Sequence, residues 1–230
     1  MTAAEVPTPL GPARVHRAEP AGDVRGTLVL GHGAGAGSDS ADLLAVSAAA
    51  CAADWRVLRV DQPWVVAGRR IAPAPARLDE GWTAVLDALR TNGLLTGPLV
   101  LGGRSAGARV ACRTAAGQGA AGVLTLAFPL HPPGKPEKSR APELQQVAVP
   151  LLVVQGETDA FGRPDEVVAA LAGHPGTVAA VPGDHGLKKD PAAVAAAAVA
   201  WLPATDPLAG PSPHTGDCPP APTLVREDRR

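Results

Sequence analysis

Cysteine is scarce in this 230-residue chain, and the three that occur, Cys51, Cys112 and Cys218, are widely separated. They form neither a disulfide framework nor a metal-ligand cluster, usage that fits a reducing compartment, and Cys51 and Cys112 read as small buried apolar residues. An excess of charge of one sign is also missing: 21 Lys and Arg face 22 Asp and Glu, for a formal net charge of −1. Without a basic field, nucleic acid and anionic membranes are poor candidates as partners, and a small near-neutral molecule is a better one. No segment approaches the ~18 continuous apolar residues of a membrane span, and residues 1–22 lack the apolar stretch of a secretory signal. A cytoplasmic location is expected.

What the chain does contain is 46% hydrophobic residues, enough for one domain with a sizeable core. Strand-like runs lie near residues 27–30, 55–60, 98–103, 122–128, 150–155 and 177–181. Most are apolar throughout rather than alternating, as strands covered on both faces should be. Helical segments fill the gaps. Leu78, Trp82, Val85, Leu86 and Leu89 share one face of a helix reaching Arg90, while Arg77, Asp79, Glu80 and Asp87 stay polar. A final helix starts with Asp190 as N-cap and Pro191 at its first position and runs to Trp201 and Leu202. The alternation predicts a doubly wound, mostly parallel sheet flanked by helices over residues 25–202. Residues 1–24 form an N-terminal segment with one antiparallel edge strand near Arg14 to Ala18. Residues 203–230, rich in proline and without apolar periodicity, are expected to be a disordered tail.

Straight after the run Pro98 to Gly102 comes Gly103-Arg104-Ser105-Ala106-Gly107. G-x-S-x-G between a strand and a helix presents a nucleophilic serine on a strained turn, and small neighbours let helix and strand approach. The strand-like run 26–30 opens into Gly31-His32-Gly33-Ala34-Gly35-Ala36-Gly37, a loop whose N–H groups suit an anion. The run Leu151 to Gly156 leads to Asp159, and Thr177 to Val181 leads through Pro182-Gly183-Asp184 to His185. Ser105, Asp159 and His185 thus follow one another in the order of the α/β-hydrolase triad. In an open parallel sheet the ligand binds beyond the carboxyl ends of the strands, where these residues fall. The roles expected are nucleophile for Ser105, general base for His185 and orienting acid for Asp159. The backbone N–H groups of Ala34 and Ala106 would hold the oxyanion.

Each assignment has a competitor. His16 and His214 lie in terminal segments, and His174 lies on the helix-to-strand side, the wrong end of the sheet. His32 and His131 both border the site as possible substrate contacts, but neither follows the acid in the chain. Glu157 and Asp184 compete with Asp159, although Asp184 adjoins His185 too closely to fold back onto its ring. The competing role for Ser105 is a cap on the following helix. Gly31-His32-Gly33-Ala34-Gly35-Ala36 also matches the dinucleotide fingerprint G-x-G-x-x-A, with Asp61 as its ribose ligand. Asp61 stands thirty positions past Gly31 rather than the ~20 expected, and that reading leaves Ser105, Asp159 and His185 unexplained.

His32-Gly33-Ala34-Gly35, Ala67-Gly68-Arg69-Arg70, Gly102 to Gly107, the proline-rich Phe128 to Pro136 and Gly183-Asp184-His185 together resemble one small α/β-hydrolase-like family. It includes the testis-expressed hydrolase-like proteins and the hydrolase-like domain of the third subunit of the NSL chromatin complex, and it is related to dienelactone hydrolases. The resemblance spans roughly residues 25–202 and implies the α/β-hydrolase fold. Serine stands where dienelactone hydrolases carry cysteine, and the chromatin member makes a non-catalytic interaction module an alternative.

Only 21 residues, Pro129 to Val149, separate two central strands, so a minimal lid and an open cleft are expected. His131, Lys135, Lys138 and Arg140 in that segment, with Trp64, Arg69 and Arg70 from another loop, suggest a basic rim for anionic acyl substrates. The competing view is a solvated loop balanced by Glu137 and Glu143. The expected activity is cleavage of small carboxylic esters or thioesters, without metal or organic cofactor, with peptidase or lactonase activity as further alternatives.

Overall fold

The computed structural model describes residues 2–35 and 37–202. The strands are β1 (Thr2–Val6), β2 (Ala13–Ala18), β3 (Gly26–Gly31), β4 (Trp55–Asp61), β5 (Leu99–Arg104), β6 (Gly122–Leu126), β7 (Leu151–Gly156) and β8 (Thr177–Val181). The helices are α1 (Ala41–Ala52), α2 (Pro63–Val66), α3 (Pro75–Thr91), α4 (Ala106–Thr114), α5 (Ala141–Gln145), α6 (Pro164–Ala170) and α7 (Pro191–Trp201). One sheet has the order β1-β2-β4-β3-β5-β6-β7-β8; β3 to β8 run parallel, while β2 pairs antiparallel with both β1 and β4. This is the α/β-hydrolase fold.

The uniformly apolar strands follow from burial on both faces. Successive side chains point to opposite sides of a strand. Val29, Leu101, Val123 and Val153 therefore enter one core with α3 and α4, while Leu28, Leu30, Val100, Leu124 and Leu152 enter the other with α1 and α7. Leu78, Trp82, Val85, Leu86 and Leu89 form the buried face of α3. Asp190 caps α7 through its carboxylate, which accepts the Ala193 N–H at 2.9 Å. Cys112 is buried as expected, but Cys51 is only half-buried.

Two boundaries differ from expectation. β1 lies outside the six runs and the single edge strand anticipated; its Ala3, Ala4 and Glu5 are exposed and only Val6 reaches the core, so it carries no apolar signature. The expected run 122–128 ends at Leu126, because Ala127 adopts a left-handed φ of 48° that turns the chain out of the sheet. Between β6 and β7 the chain forms only a short 3-10 turn (Pro136–Lys138) and α5, too little for a helical lid. The tail 203–230, with His214 and Cys218, lies outside the described residues. Among the described residues no helix is long and apolar enough to cross a membrane.

Candidate active site

Close backbone approach builds the turn after β5. Gly103 pairs in register with Gly31, and a Cβ on Gly103 or on Gly107 would stand 2.5 Å from the Gly31 carbonyl oxygen. Any larger residue would force α4 off the sheet. Ser105, between them, holds φ 52° and ψ −108°, a left-handed conformation that costs a non-glycine residue of order 1–3 kcal/mol. Its side chain makes no capping bond to α4, although it occupies the N-cap position. Instead Ser105 Oγ lies 2.9 Å from His185 Nε2.

The loop after β8 delivers His185, and the loop after β7 delivers Asp159. His185 Nδ1 is 2.8 Å from Asp159 Oδ2, so an Nδ1–H donates to the carboxylate and the Nε2 lone pair faces the serine hydroxyl. Asp159 is 1% exposed. Its Oδ1 accepts the Phe161 N–H at 2.8 Å, and its Oδ2 also accepts from the Gln155 amide at 2.9 Å. Glu157 is exposed, and Asp184 is an exposed turn residue that accepts the Gly186 N–H. Neither makes a hydrogen bond to the His185 ring.

Other expected site residues fall in different surroundings. His32 is buried, and both ring nitrogens are occupied by backbone: Nδ1 donates to Gly33 O at 2.8 Å and Nε2 accepts the Gln62 N–H at 3.1 Å. Burial holds its pKa below the ordinary imidazole value, against the raising effect of the Gly33 carbonyl. It therefore fixes the loop as a neutral ring while lining a small pocket with Trp64, Ala106 and Gly107. His131 is similarly engaged, with Nδ1 3.0 Å from Pro132 O and Nε2 3.2 Å from Glu166 Oε1, so it props α6. Arg69 and Arg70 are exposed and line an open cleft with Ala34 and Gly35. Ala106 is the first residue of α4, where an N–H has no intrahelical acceptor. His174 lies at the far end of the sheet, its Nε2 2.6 Å from Val147 O.

Asp61, the ribose ligand of the dinucleotide alternative, is committed elsewhere. Its Oδ1 accepts the Ser38 N–H at 2.7 Å and its Oδ2 lies 2.8 Å from His16 Nε2, while Arg59 donates to Ser38 O. Burial alone would raise the Asp61 pKa, but these hydrogen bonds outweigh it and the net shift is downward. Moreover α1 begins only at Ala41, beyond the glycines, so no helix N-terminus meets the loop as a pyrophosphate site requires. Among the described residues no group of three or more His, Cys, Asp or Glu could hold a metal ion.

Three supporting residues escaped the sequence reading. Gln155, fully buried at the end of β7, donates to Asp159 Oδ2 and to Gly162 O at 2.7 Å and accepts the Phe128 N–H. A lone amide closing the run Leu151 to Val154 was its only local signal. Phe161 packs against the His185 ring with centroids 4.2 Å apart. Arg104 reaches the His185 carbonyl with its Nη2 at 2.8 Å, and its Nε sits 3.1 Å from Asp42 Oδ2 on α1, close enough to pair but outside hydrogen-bond geometry.

Residues 24–201 match the family model of the alpha/beta hydrolase domain. The chain belongs to that family. Its fold is similar to a serine hydrolase homologue from Coxiella burnetii, with a TM-score of 0.75 at 20% identity over 87% of this chain and 97% of that one. A serine hydrolase from Xanthomonas campestris, described as having no lid, superposes with a TM-score of 0.73 at 21% identity, covering 90% and 95% of the two chains. Est1E from Butyrivibrio proteoclasticus gives 0.73 at 15% identity, covering 88% and 98%. A search of the curated proteins found no match.

Proposed function

We propose that this alpha/beta hydrolase family member is a serine hydrolase that cleaves small carboxylic esters or thioesters through an acyl-enzyme. The observation that carries the reading is the unbroken chain Ser105 Oγ, His185 Nε2, His185 Nδ1 and Asp159 Oδ2, with links of 2.9 and 2.8 Å. Such links lie within the ~2.6–3.2 Å that nucleophilic catalysis needs.

His185 takes the Ser105 hydroxyl proton as Oγ bonds to the carbonyl carbon, and the carbonyl oxygen becomes an oxyanion held by the N–H groups of Ala34 and Ala106. Collapse breaks the bond to the alcohol or thiol, which leaves with the proton from His185. Water then attacks the acyl-Ser105 ester, giving a proton to His185; the bond to Oγ breaks, the acid is released, and Ser105 Oγ takes that proton back from His185. Asp159 keeps the imidazole in the Nδ1–H tautomer and stabilises its cationic form. The absence of a helical lid between β6 and β7 supports small, readily entering substrates. Est1E bears an esterase name and another of its structures holds ferulic acid, which favours including aromatic esters in a first screen. The motifs from His32 to His185 support a place for the chain beside the testis-expressed and NSL-subunit hydrolase-like domains.

The test is intact-mass analysis after exposure to a fluorophosphonate. Stoichiometric labelling, lost in Ser105→Ala and His185→Ala, is the expected result. No labelling of a folded sample would refute the hydrolase reading and favour an interaction module.

A further inference from the structure

The loop after β3 passes directly over the candidate nucleophile: a Cβ on Gly33 would stand 3.5 Å from Ser105 Cβ. The next residues, Ala34 and Gly35, form one wall of an open cleft of about 450 Å³, and Trp64, Val65, Arg69 and Arg70 line the other. The cleft therefore adjoins the loop that passes over Ser105, which does not itself line it. One part of its lining is apolar, from Trp64 and Val65, and another is cationic.

The two cations are unusual for this protein. Other arginines around the site are committed: Arg59 to Ser38 O, Arg104 to His185 O, Arg140 to Pro129 O, and Arg109 and Arg113 to Glu143. Arg69 and Arg70 make no side-chain hydrogen bond or ion pair among the described residues. Glu143, one of the acids expected to balance a basic rim, is occupied by α4 and does not line the cleft. Asp61 is held by His16 and Ser38. Asp39 and Asp61 approach the cleft at Gly37, and neither pairs with these two arginines. Two adjacent unpaired guanidiniums beside an apolar wall form an arrangement that receives a carboxylate or phosphate in bidentate fashion.

We infer that Arg69 and Arg70 form an anion subsite, and that the preferred substrates are esters or thioesters carrying a carboxylate or phosphate, with their apolar portion against Trp64 and Val65. The inference rests on Ser105 being the nucleophile. Exposed charge contacts act mainly on encounter and binding, so the effect belongs in KM and weakens with salt.

The experiment compares matched pairs on the full chain. The mono-4-nitrophenyl ester of succinate is set against 4-nitrophenyl butyrate, and an S-acyl phosphopantetheine against the corresponding S-acyl pantetheine. The wild type should favour at least one anionic member about tenfold in kcat/KM at low salt, with the ratio shrinking as sodium chloride is added. The pair that shows the preference assigns carboxylate or phosphate. Arg69→Gln/Arg70→Gln should collapse the ratio toward one by raising KM for the anionic member, with thermal unfolding unchanged because both side chains are exposed. A ratio near one in the wild type, or one that survives the double substitution, overturns the subsite. Failure of the hydrolase reading is seen separately, as absence of fluorophosphonate labelling. In that case calorimetric titration with inorganic phosphate and with succinate decides: binding lost in the double variant upholds the subsite, and no binding by the wild type overturns it.

Discussion

Replacing Arg104 with alanine removes the one cation paired with Asp42 among the described residues, a side chain 1% exposed on α1, and at the same time the donor that holds the His185 carbonyl at 2.8 Å. Stripping one partner from a buried pair costs about 3–5 kcal/mol, because the remaining charge is left desolvated and unpaired. The Arg104 side chain is 14% exposed, so water entering the vacated space should bring the loss to the lower end, about 3 kcal/mol. At roughly 2–4 °C per kcal/mol for a chain of this size, the midpoint of thermal unfolding should fall by about 6–12 °C. The catalytic consequence is separate. With its carbonyl untethered, His185 no longer holds Nε2 in line with Ser105, and fluorophosphonate labelling should slow by about tenfold, the scale of one lost charge-assisted hydrogen bond. The assay is a double-mutant cycle with Asp42→Asn, followed by calorimetry and by labelling rate. Asp42→Asn in the Arg104→Ala background should restore much of the stability, by neutralising the orphaned carboxylate, and little of the labelling rate, because the tether to His185 stays absent. A coupling energy below about 0.5 kcal/mol, the ordinary limit of additivity between independent sites, would refute the pairing. Full recovery of the labelling rate would refute the tether.

Gly107→Ala drives a Cβ to 2.5 Å from the Gly31 carbonyl oxygen, backbone that has no room to yield, and should cost about 3 kcal/mol, read as a loss of about 6–12 °C in calorimetry. An unchanged midpoint would mean that α4 does not pack on β3 as described. Because burial depresses the His32 pKa, the unfolded chain takes up a proton below about pH 6.5 that the folded chain refuses, so stability is complete above that value and falls as pH drops toward the folded pKa. Midpoints measured from pH 8 to 5 should show this slope in the wild type and a shallower one in His32→Asn. The fully enclosed Cys112 thiol, its pKa pushed far up by burial, should resist maleimide in the folded protein and react fully in denaturant, as peptide mapping would reveal.

Sequence alone determined the elements whose cause is local. Apolar runs of strand length, one amphipathic face on α3 and the Asp190-Pro191 start of α7 each declare themselves within a few residues, because burial and capping act at short range. The glycines around Ser105 declared a close strand-to-helix approach for the same reason, and the chain order of Ser105, Asp159 and His185 followed from which runs they trailed. Tertiary structure decided the rest. The hydrogen bond between Ser105 and His185 joins residues 80 apart, that between His16 and Asp61 joins residues 45 apart, and no periodicity encodes either. His32 and His131 carry the same residue type as His185, but the folded backbone took up the ring nitrogens of His32, and Pro132 O and Glu166 took up those of His131. β1, almost without buried side chains, exists because β2 offers it an unpaired edge, a cause that lies outside its own five residues. Arg104, Gln155 and Phe161 support His185 and Asp159 through contacts that exist only once the strand ends converge, since a hydrogen bond depends on where the chain brings its partner and not on the residue that offers it.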